Sequence, residues 1–462
     1  MSLWNGDDFV EATGGRVLVE GPTAVEGVSI DTRTLQQGEA FFAIAGDRFD
    51  GHDFASQAMR AGASCIVIAE DRAIALGHLN VPKIVVPDVL GALENVGRAA
   101  RARTEAQVAA ITGSVGKTTT KEMLRAALTP AGATHAAVAS FNNHWGVPLT
   151  LSRMPAETRF GVFEIGMNHS GEITPLVGMV RPHVAAITRI APAHLGNFAS
   201  IEDIAAAKAE IFSGLVPGGV AVLNADDEHF AFLRAKAEGQ GVETIRTFGT
   251  KAGCDVFVRF GTPTLFEVEG TTHEVSMPFA GNHNTMNAAC AVAVATALGA
   301  GAQAAIRGIE AMPAVAGRGT VDRIAVDGGE ARLVDESYNA NPVSMAAALQ
   351  VLSTMEPGAG GRRVAVLGDM RELGRFSADL HADLDQPVLD AKPSVVVLVG
   401  HEIASLAERL DGKVELYHRA SADAAEPLLR SLLRPNDIVM LKASNGTGLG
   451  RVATALRGQG VG

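Results

Sequence analysis

Aromatic side chains are scarce in this chain, at 5% of 462 residues with two tryptophans and two tyrosines. With Ala, Gly and Val dominant, that favours close helix–sheet packing over an aromatic-rich binding surface. Cysteine is scarcer still. Cys65, Cys254 and Cys290 are scattered without metal or redox spacing and read as structural thiols in a reducing compartment. Positive charge is in deficit. A net charge of −12 argues against a general nucleic-acid binder, although a local loop in an acidic protein can still take phosphates. The apolar stretch Ala288 to Ala300 is too short and alanine-rich to span a bilayer. Met1 to Gly15 carries acids and lacks the charged-then-apolar pattern of a signal peptide. These absences leave a soluble cytoplasmic protein as the expectation, with no nucleic-acid partner, no membrane insertion and a monomeric state. What is present is 47% hydrophobic residues, enough for real cores, and a length that suggests about three domains.

One stretch organises the rest: Ile111-Thr112-Gly113-Ser114-Val115-Gly116-Lys117-Thr118-Thr119-Thr120. An apolar run, Val108 to Ile111, leads in, and Lys121 to Leu128 follows with helical spacing. The loop therefore joins a buried strand to a helix N-terminus. Glycines let the backbone wrap tightly and aim successive N–H groups at one point, where the helix end adds partial positive charge. In such a loop Lys117 reaches the outer phosphates of a nucleotide and the Thr118 hydroxyl sits on Mg2+. Ile111 stands where the longer motif has its first glycine, so the match is to the shorter G-x-x-G-K-T form. A glycine-rich turn of an ordinary α/β unit is the bland alternative. Strand, loop, Lys-Thr pair and helix agree on phosphate binding.

The chain divides into 1–105, 106–314 and 315–462. The first part reads as a small α/β unit, with strands before Ser29, at Ala40 to Ile44, Cys65 to Ala69 and Ile84 to Val86, and a helix over Ala55 to Ala61. Asp31, Arg33, Asp47, Arg48, Asp50, His52 and Asp53 crowd into two loops, mostly as solvated charge. Arg33 is the candidate for an anionic ligand. In the second part, Phe160 to Gly166 is a buried strand carrying Glu164, where α/β nucleotidases place an acid for Mg2+ or its water. A surface charge at a strand end would look the same. His194 follows the end of the strand His183 to Thr188, where open α/β sheets bind ligands, yet a lone histidine is usually structural. A helix over Ile201 to Leu215, capped by Ser200, carries Lys208 and Glu210, an ordinary polar pair if that face is solvated. Residues 245–278 look like a β-rich insertion. Gly281 to Asn287, with three amide side chains and His283, precedes an Ala-rich helix over Ala288 to Leu298. They can cap that helix or read a purine edge.

Gly317-Arg318-Gly319 marks the next boundary. The last part alternates strands, at Leu333-Val334, Val364 to Leu367, Val395 to Val399 and Ile438 to Leu441, with helices, and reads as a second doubly wound unit without a phosphate loop. Its polar loops are Asp335 to Pro342, Gly368 to Gly374 and Lys442 to Gly448. The fold class is therefore α/β in three domains, with a central P-loop nucleotide-binding domain and a C-terminal Rossmann-like domain.

In order and spacing, the loop Gly113 to Thr119, the pair Asn142-Asn143, Glu164, His194, Lys208, Gly281 to Asn287 and Asp335 to Pro342 resemble the Mur ligases, ATP-dependent amide-forming enzymes of peptidoglycan synthesis. The stretch Ser29 to Arg33 through Asp50 to Phe54 is most similar to the branch that joins D-alanyl-D-alanine to UDP-N-acetylmuramoyl-tripeptide. The resemblance covers nearly the whole chain. It implies a UDP-sugar site in 1–105, with Asp31, Arg33, Asn142 and Asn143 on the donor. It implies ATP held by Gly113, Ser114, Val115, Gly116, Lys117, Thr118 and Thr119, with Asn284 and Asn287 on the adenine side and Arg318, Asp335, Tyr338 and Asn339 meeting the nucleotide from the last domain. Lys117, Glu164, His194 and Lys208 become the catalytic group. Thr118, Glu164, His194 and a carbamylated Lys208 become the Mg2+ site. Closure of the last domain over ATP implies an open form without ligands, hinged at Gly317–Gly319, with Asp335 remote from the phosphate loop. Two positions depart from the family pattern: Arg189 stands where asparagine is more usual, and Lys442-Ala443-Ser444-Asn445 replaces Lys-Gly-Ser-Arg. Other members of this ligase class, including folylpolyglutamate-type enzymes, and a sensor that binds wall precursors without joining them are the competing readings.

Overall fold

The structure, a computed structural model, describes residues 2–46, 48–138, 140–192, 195–279, 281–313 and 317–458. Three main sheets follow one another along the chain. The first has five strands, ordered Arg16–Val17, Lys83–Val86, Cys65–Ala69, Glu39–Phe42 and Gly27–Ser29, with the small ribbon Trp4–Asn5 and Ala24–Val25 as a separate pair. The second has nine strands with Gln107–Thr112 inside it, flanked in parallel by Phe160–Glu164 and Val184–Ile187. Alternation sends Val108 and Ala110 into one core and Ala109 and Ile111 into the other. A strand covered on both faces must be apolar throughout, which is why the motif's lead-in is a continuous hydrophobic run.

Residues 245–278 are not a separate insertion. Thr244–Gly249 continues the sheet in parallel, and Val256–Arg259, Thr264–Val268 and Thr271–Val275 extend it to the edge. Val256, Val258, Phe266, Val268 and Val275 are buried in one cluster with the helix Asn282–Ala297, so the apolar face of the sheet runs on. That helix starts at Asn282, so Asn284 and Asn287 lie in its first turns rather than before it. Its alanines let it pack tightly against the helix Lys117–Leu128 behind the phosphate loop.

The third sheet has six strands with an apolar core on each face, as a doubly wound unit requires. Two of its strands, Thr320–Val326 and Glu415–Arg419, lie on the edges, where half-exposed polar residues hide the strand pattern from a reading of the sequence. Cys65 and Cys290 are fully buried; burial pushes the Cys65 thiol up to about 12 and the Cys290 thiol up as well, which fits inert structural thiols. Among the described residues no helix is long and apolar enough to cross a membrane.

Candidate active site

A cleft of about 880 Å3 opens where the C-terminal ends of the middle strands face the third sheet. Its floor is the loop 113–119, and the geometry explains the glycines. At Gly113, with φ 151°, a Cβ would sit 2.0 Å from the Thr188 hydroxyl. At Gly116, with φ 83°, it would sit 2.3 Å from the Asn287 side-chain oxygen. Only glycine permits both the backbone conformation and the approach. Thr188 also donates its hydroxyl to the Val115 carbonyl at 2.5 Å, and the Ser114 N–H donates to the Arg189 carbonyl at 2.8 Å. Neighbouring strand ends thus hold the loop in shape before any ligand arrives.

Lys117 Nζ folds back onto the Gly113 carbonyl at 2.7 Å. Desolvation holds its ammonium below the ordinary lysine value, with the Glu164 carboxylate opposing that shift. Glu164 is buried; its Oε1 accepts from Asn142 Nδ2 at 2.7 Å, and its Oε2 has no protein partner. A buried carboxylate oxygen without a partner costs free energy unless something completes it. Glu164 could therefore serve as an oxygen donor to a hard cation, and the Thr118 hydroxyl lines the same cleft. No cluster of three or more His, Cys, Asp or Glu suited to a metal occurs among the described residues. Such a thin ligand set suits Mg2+, which keeps its waters and takes substrate phosphates. His194 lies outside the described residues.

Lys208 is fully buried and its ammonium nitrogen has no hydrogen-bond partner among the described residues. Desolvation first, and the charge of Lys117 second, push it well below the ordinary lysine value. The pairing with Glu210 that a solvated helix face would give is absent among the described residues. Glu210 instead accepts from the Gly171 N–H at 2.7 Å and from Thr174, tying down the loop after the Glu164 strand. The helix ends as Ile201–Ala209 and passes into a tighter turn, Glu210–Gly214, which places Glu210 away from Lys208.

The third sheet supplies the opposite wall. Arg318 lies 4.0 Å over the Tyr338 ring and reaches the Thr119 hydroxyl at 3.4 Å. The Tyr338 hydroxyl meets Ser140 Oγ at 2.5 Å, and Ser140 meets the Thr118 hydroxyl at 3.2 Å. So this wall touches the phosphate loop. Asp335 does not line the cleft. In the strand Gly329–Glu336 successive side chains face opposite ways, and Asp335 accepts from Arg457 at 2.8 Å and from Ser337 at 2.5 Å. Its neighbour Glu336 faces the cleft and pairs with buried Lys442 at 3.4 Å. Asn284 and Asn287 line the cleft, as does Asn339, whose carbonyl accepts from Lys442 at 3.1 Å.

A second cavity, about 1620 Å3, lies between the first and middle parts. Asp31 and Arg33 line it, locked together by contacts of 2.6–3.1 Å. The scarce aromatics gather here: Phe41, Phe49, Phe54, Phe141 and Trp145 all face the cavity. The composition favours close helix–sheet packing over an aromatic-rich surface, yet low abundance does not prevent this local concentration. Asn142 and Asn143 do not line it. Asn142 serves Glu164, and Asn143 accepts from the Trp145 and Gly146 N–H groups at the start of the helix Gly146–Ser152. In the charged loops of the first part, Asp50 and His52 are not solvated. Half-buried Asp50 bonds His52 at 2.6 Å, and His52 accepts from the Ala69 N–H. Ser140, Glu336, Arg371 and Lys442 also line the cleft; none stands out as a site residue in the sequence, and only Lys442 has a further signal, its place in the stretch compared with the family's Lys-Gly-Ser-Arg pattern.

Comparison with known proteins matches the same regions. The sequence pattern of the Mur ligase family catalytic domain matches residues 24–106, that of the Mur ligase middle domain 111–295, and that of the Mur ligase glutamate ligase domain 321–445. The UDP-N-acetylmuramoyl-tripeptide–D-alanyl-D-alanine ligase of Escherichia coli K12 is 34% identical over 94% of each chain. The ligase of the same name from Bacillus subtilis 168 is 32% identical over 94% of this chain and 93% of its own. A crystal structure of MurF from Acinetobacter baumannii superposes with a TM-score of 0.84 at 33% identity, covering 98% of this chain and 99% of that one. Phosphate loop, cleft and three-part architecture agree with these likenesses along the whole length: the chain belongs to the Mur ligase family.

Proposed function

We propose that this protein is an ATP-dependent, ADP-forming ligase that joins D-alanyl-D-alanine to UDP-N-acetylmuramoyl-tripeptide in the cytoplasm, during peptidoglycan precursor synthesis. The observation that carries the substrate pair is end-to-end similarity, at about a third identity, to ligases of that name. In this reading residues 1–105 hold the UDP-sugar donor, 106–314 hold ATP, and 315–462 close over both. The two cavities, one lined by the first and middle parts and the other by the middle and last parts, support that division.

The donor carboxylate attacks the γ-phosphorus of ATP, giving an acyl phosphate and ADP. The dipeptide amine then attacks the acyl carbon, and inorganic phosphate leaves with the C–O bonding pair. No protein nucleophile is needed, so positioning and charge neutralisation carry the rate. Lys117 moves from the Gly113 carbonyl to the transferring phosphoryl group. Thr118 and the Oε2 of Glu164 would hold Mg2+, with His194 at a second metal position, and the metal would supply neutralisation of the negative charge on the phosphoryl oxygens. Lys208 is the carbamylation candidate. Carbamylation requires a neutral amine, which its dry, unpartnered position favours, and it would turn a buried cation into a metal-binding anion.

A substrate panel tests the proposal, with phosphate release and product mass as readouts. Phosphate should appear only when tripeptide donor, D-alanyl-D-alanine and Mg-ATP are all present. Turnover with UDP-muramoyl dipeptide and a diamino acid, or with a dihydropteroate-type donor and glutamate, would reassign the substrate. Donor binding without product from any amine would make the protein a sensor.

A further inference from the structure

The acceptor in the proposed reaction carries a carboxylate at the end opposite its reacting amine, and that charge needs a partner on the cleft wall. An extended dipeptide spans at most about 7 Å, so the partner must lie close to the phosphate loop. Three cations of the third part line the cleft: Arg318, Arg371 and Lys442. Lys442 is buried against Glu336, and Arg318 is engaged with the Tyr338 ring and Thr119. Arg371 is exposed, carries no ion pair among the described residues, and donates Nη2 to the Gly446 carbonyl at 3.0 Å.

Its loop is anchored at three successive residues. The Asp369 carboxylate accepts from the His401 and Ile403 N–H groups, the Met370 N–H donates to buried His381, and the Arg371 N–H donates to Ser444 Oγ at 2.9 Å. The next residue, Glu372, has φ 67°, a conformation that non-glycine residues seldom adopt. Its charge is felt at Lys117 and its carbonyl accepts from the Gly196 N–H at 3.3 Å. The loop thus runs from the phosphate side to the turn 444–446, with the guanidinium laid on that turn. The turn itself offers Asn445 and no cation. Gly446 makes the seat: a Cβ there would come within 2.9 Å of the Arg371 guanidinium carbon.

We infer that Arg371, seated on Gly446, receives the terminal carboxylate of the acceptor and so supplies the charge that the loop ending at Asn445 lacks. A planar fork on a rigid loop suits bidentate carboxylate capture, and a turn without side-chain bulk leaves room for it. The inference rests on the proposed acceptor and deepens that reading.

The test is steady-state kinetics with saturating donor and Mg-ATP, comparing D-alanyl-D-alanine with D-alanyl-D-alaninamide, whose terminus is neutral. Wild type should favour the free acid. Arg371→Ala should raise KM for the free acid roughly 10- to 100-fold, the usual scale for losing a charge-assisted contact, and leave KM for the amide and for ATP where they were. Arg371→Lys should recover part of the discrimination. Gly446→Ala, which keeps the charge but displaces it, should also reduce discrimination. An equal rise for both acceptors would make Arg371 a structural residue, and no rise for either would remove it from acceptor binding. If wild type makes no product from D-alanyl-D-alanine, the functional reading itself falls, a result distinct from loss of the Arg371 effect in an active enzyme.

Discussion

The two joints of this molecule are built from opposite materials. Between the first and middle parts a single apolar cluster runs through: Trp4, Phe9, Val96 and Ala100 share it with Leu149 of the middle part. Trp4 Nε1 donates to the Ser152 carbonyl at 3.1 Å, and the Arg103 guanidinium lies 3.4 Å over the Trp4 ring while donating to the Leu3 and Met154 carbonyls. Arg153 crosses back to the Val28 carbonyl at 2.6 Å. Between the middle and last parts no apolar cluster of the described residues is shared. Among the described residues the contacts there include hydroxyls, one arginine, the Gly196 N–H on the Glu372 carbonyl, and a close backbone approach of Gly196 to Gly374, where a Cβ on Gly374 would come within 2.6 Å. A buried apolar joint loses its transfer free energy when opened, whereas polar groups on a cleft wall exchange one partner for water. The first joint is therefore part of the fold. The second is a contact that a catalytic cycle can make and break.

The largest effect should come from breaking the first joint. Trp4→Ala removes a buried ring, its hydrogen bond and the seat of Arg103, and should cost about 3–5 kcal/mol of stability. Denaturant unfolding should show that loss, while kcat per folded molecule changes little. A stability loss below about 1 kcal/mol would mean the joint is not core. Next comes Lys117→Ala, on the side of the second joint. It should lower kcat about 100- to 1000-fold, the scale for a preorganised transition-state contact, with unfolding unchanged because the glycines and Thr188 shape the loop. Retained ligation would take Lys117 out of the mechanism.

Lys208→Met tests the same contrast at one residue. Burial holds the native lysine's pKa well below its unfolded value, so between that lowered value and the ordinary lysine value the unfolded state binds the extra proton and stability rises with pH. Methionine removes that cost. In CO2-free buffer without Mg2+ the variant should be more stable than wild type by about 1–3 kcal/mol at neutral pH. The difference should shrink as pH climbs toward the ordinary lysine value, and ligation should be lost. A destabilised variant would show that Lys208 serves packing rather than chemistry.

How much of this was legible in the sequence divides along similar lines. The loop 113–119 and Glu164 at its strand end stand in local patterns whose neighbours fix their direction, and Arg318 follows only from the family resemblance; Lys117, Glu164 and Arg318 line the cleft. The family resemblance puts Asp335 in a polar loop at the nucleotide, but it lies on a strand facing away while its neighbour Glu336 lines the cleft, and which of two adjacent acids faces the cleft is decided by the sheet. Asn142 beside Glu164, Glu210 turned away from Lys208, and Arg371 on Gly446 are long-range meetings with no trace in spacing. The edge strands and the aromatic lining of the larger cavity went unseen for the same reason: neither depends on a residue's chain neighbours.

The smallest effect is the sharpest test of the second joint. Tyr338→Phe deletes one hydroxyl and keeps the ring beneath Arg318. The deleted group ends a chain, Tyr338 to Ser140 to Thr118, that links the last part to the phosphate loop. One exposed-to-partly-buried hydrogen bond is worth about 0.5–1.5 kcal/mol, enough to shift an open–closed balance roughly 2- to 10-fold. Without ligands, the variant should scatter X-rays as a more extended particle than wild type, and ATP with donor should bring the two curves together. Ser140→Ala should do the same, and the double variant should add little, because both residues share one bond. Curves that coincide for all four proteins, with and without ligands, would show the second joint to be as rigid as the first. Closure would then not be the step that brings Tyr338 and Arg318 to the nucleotide.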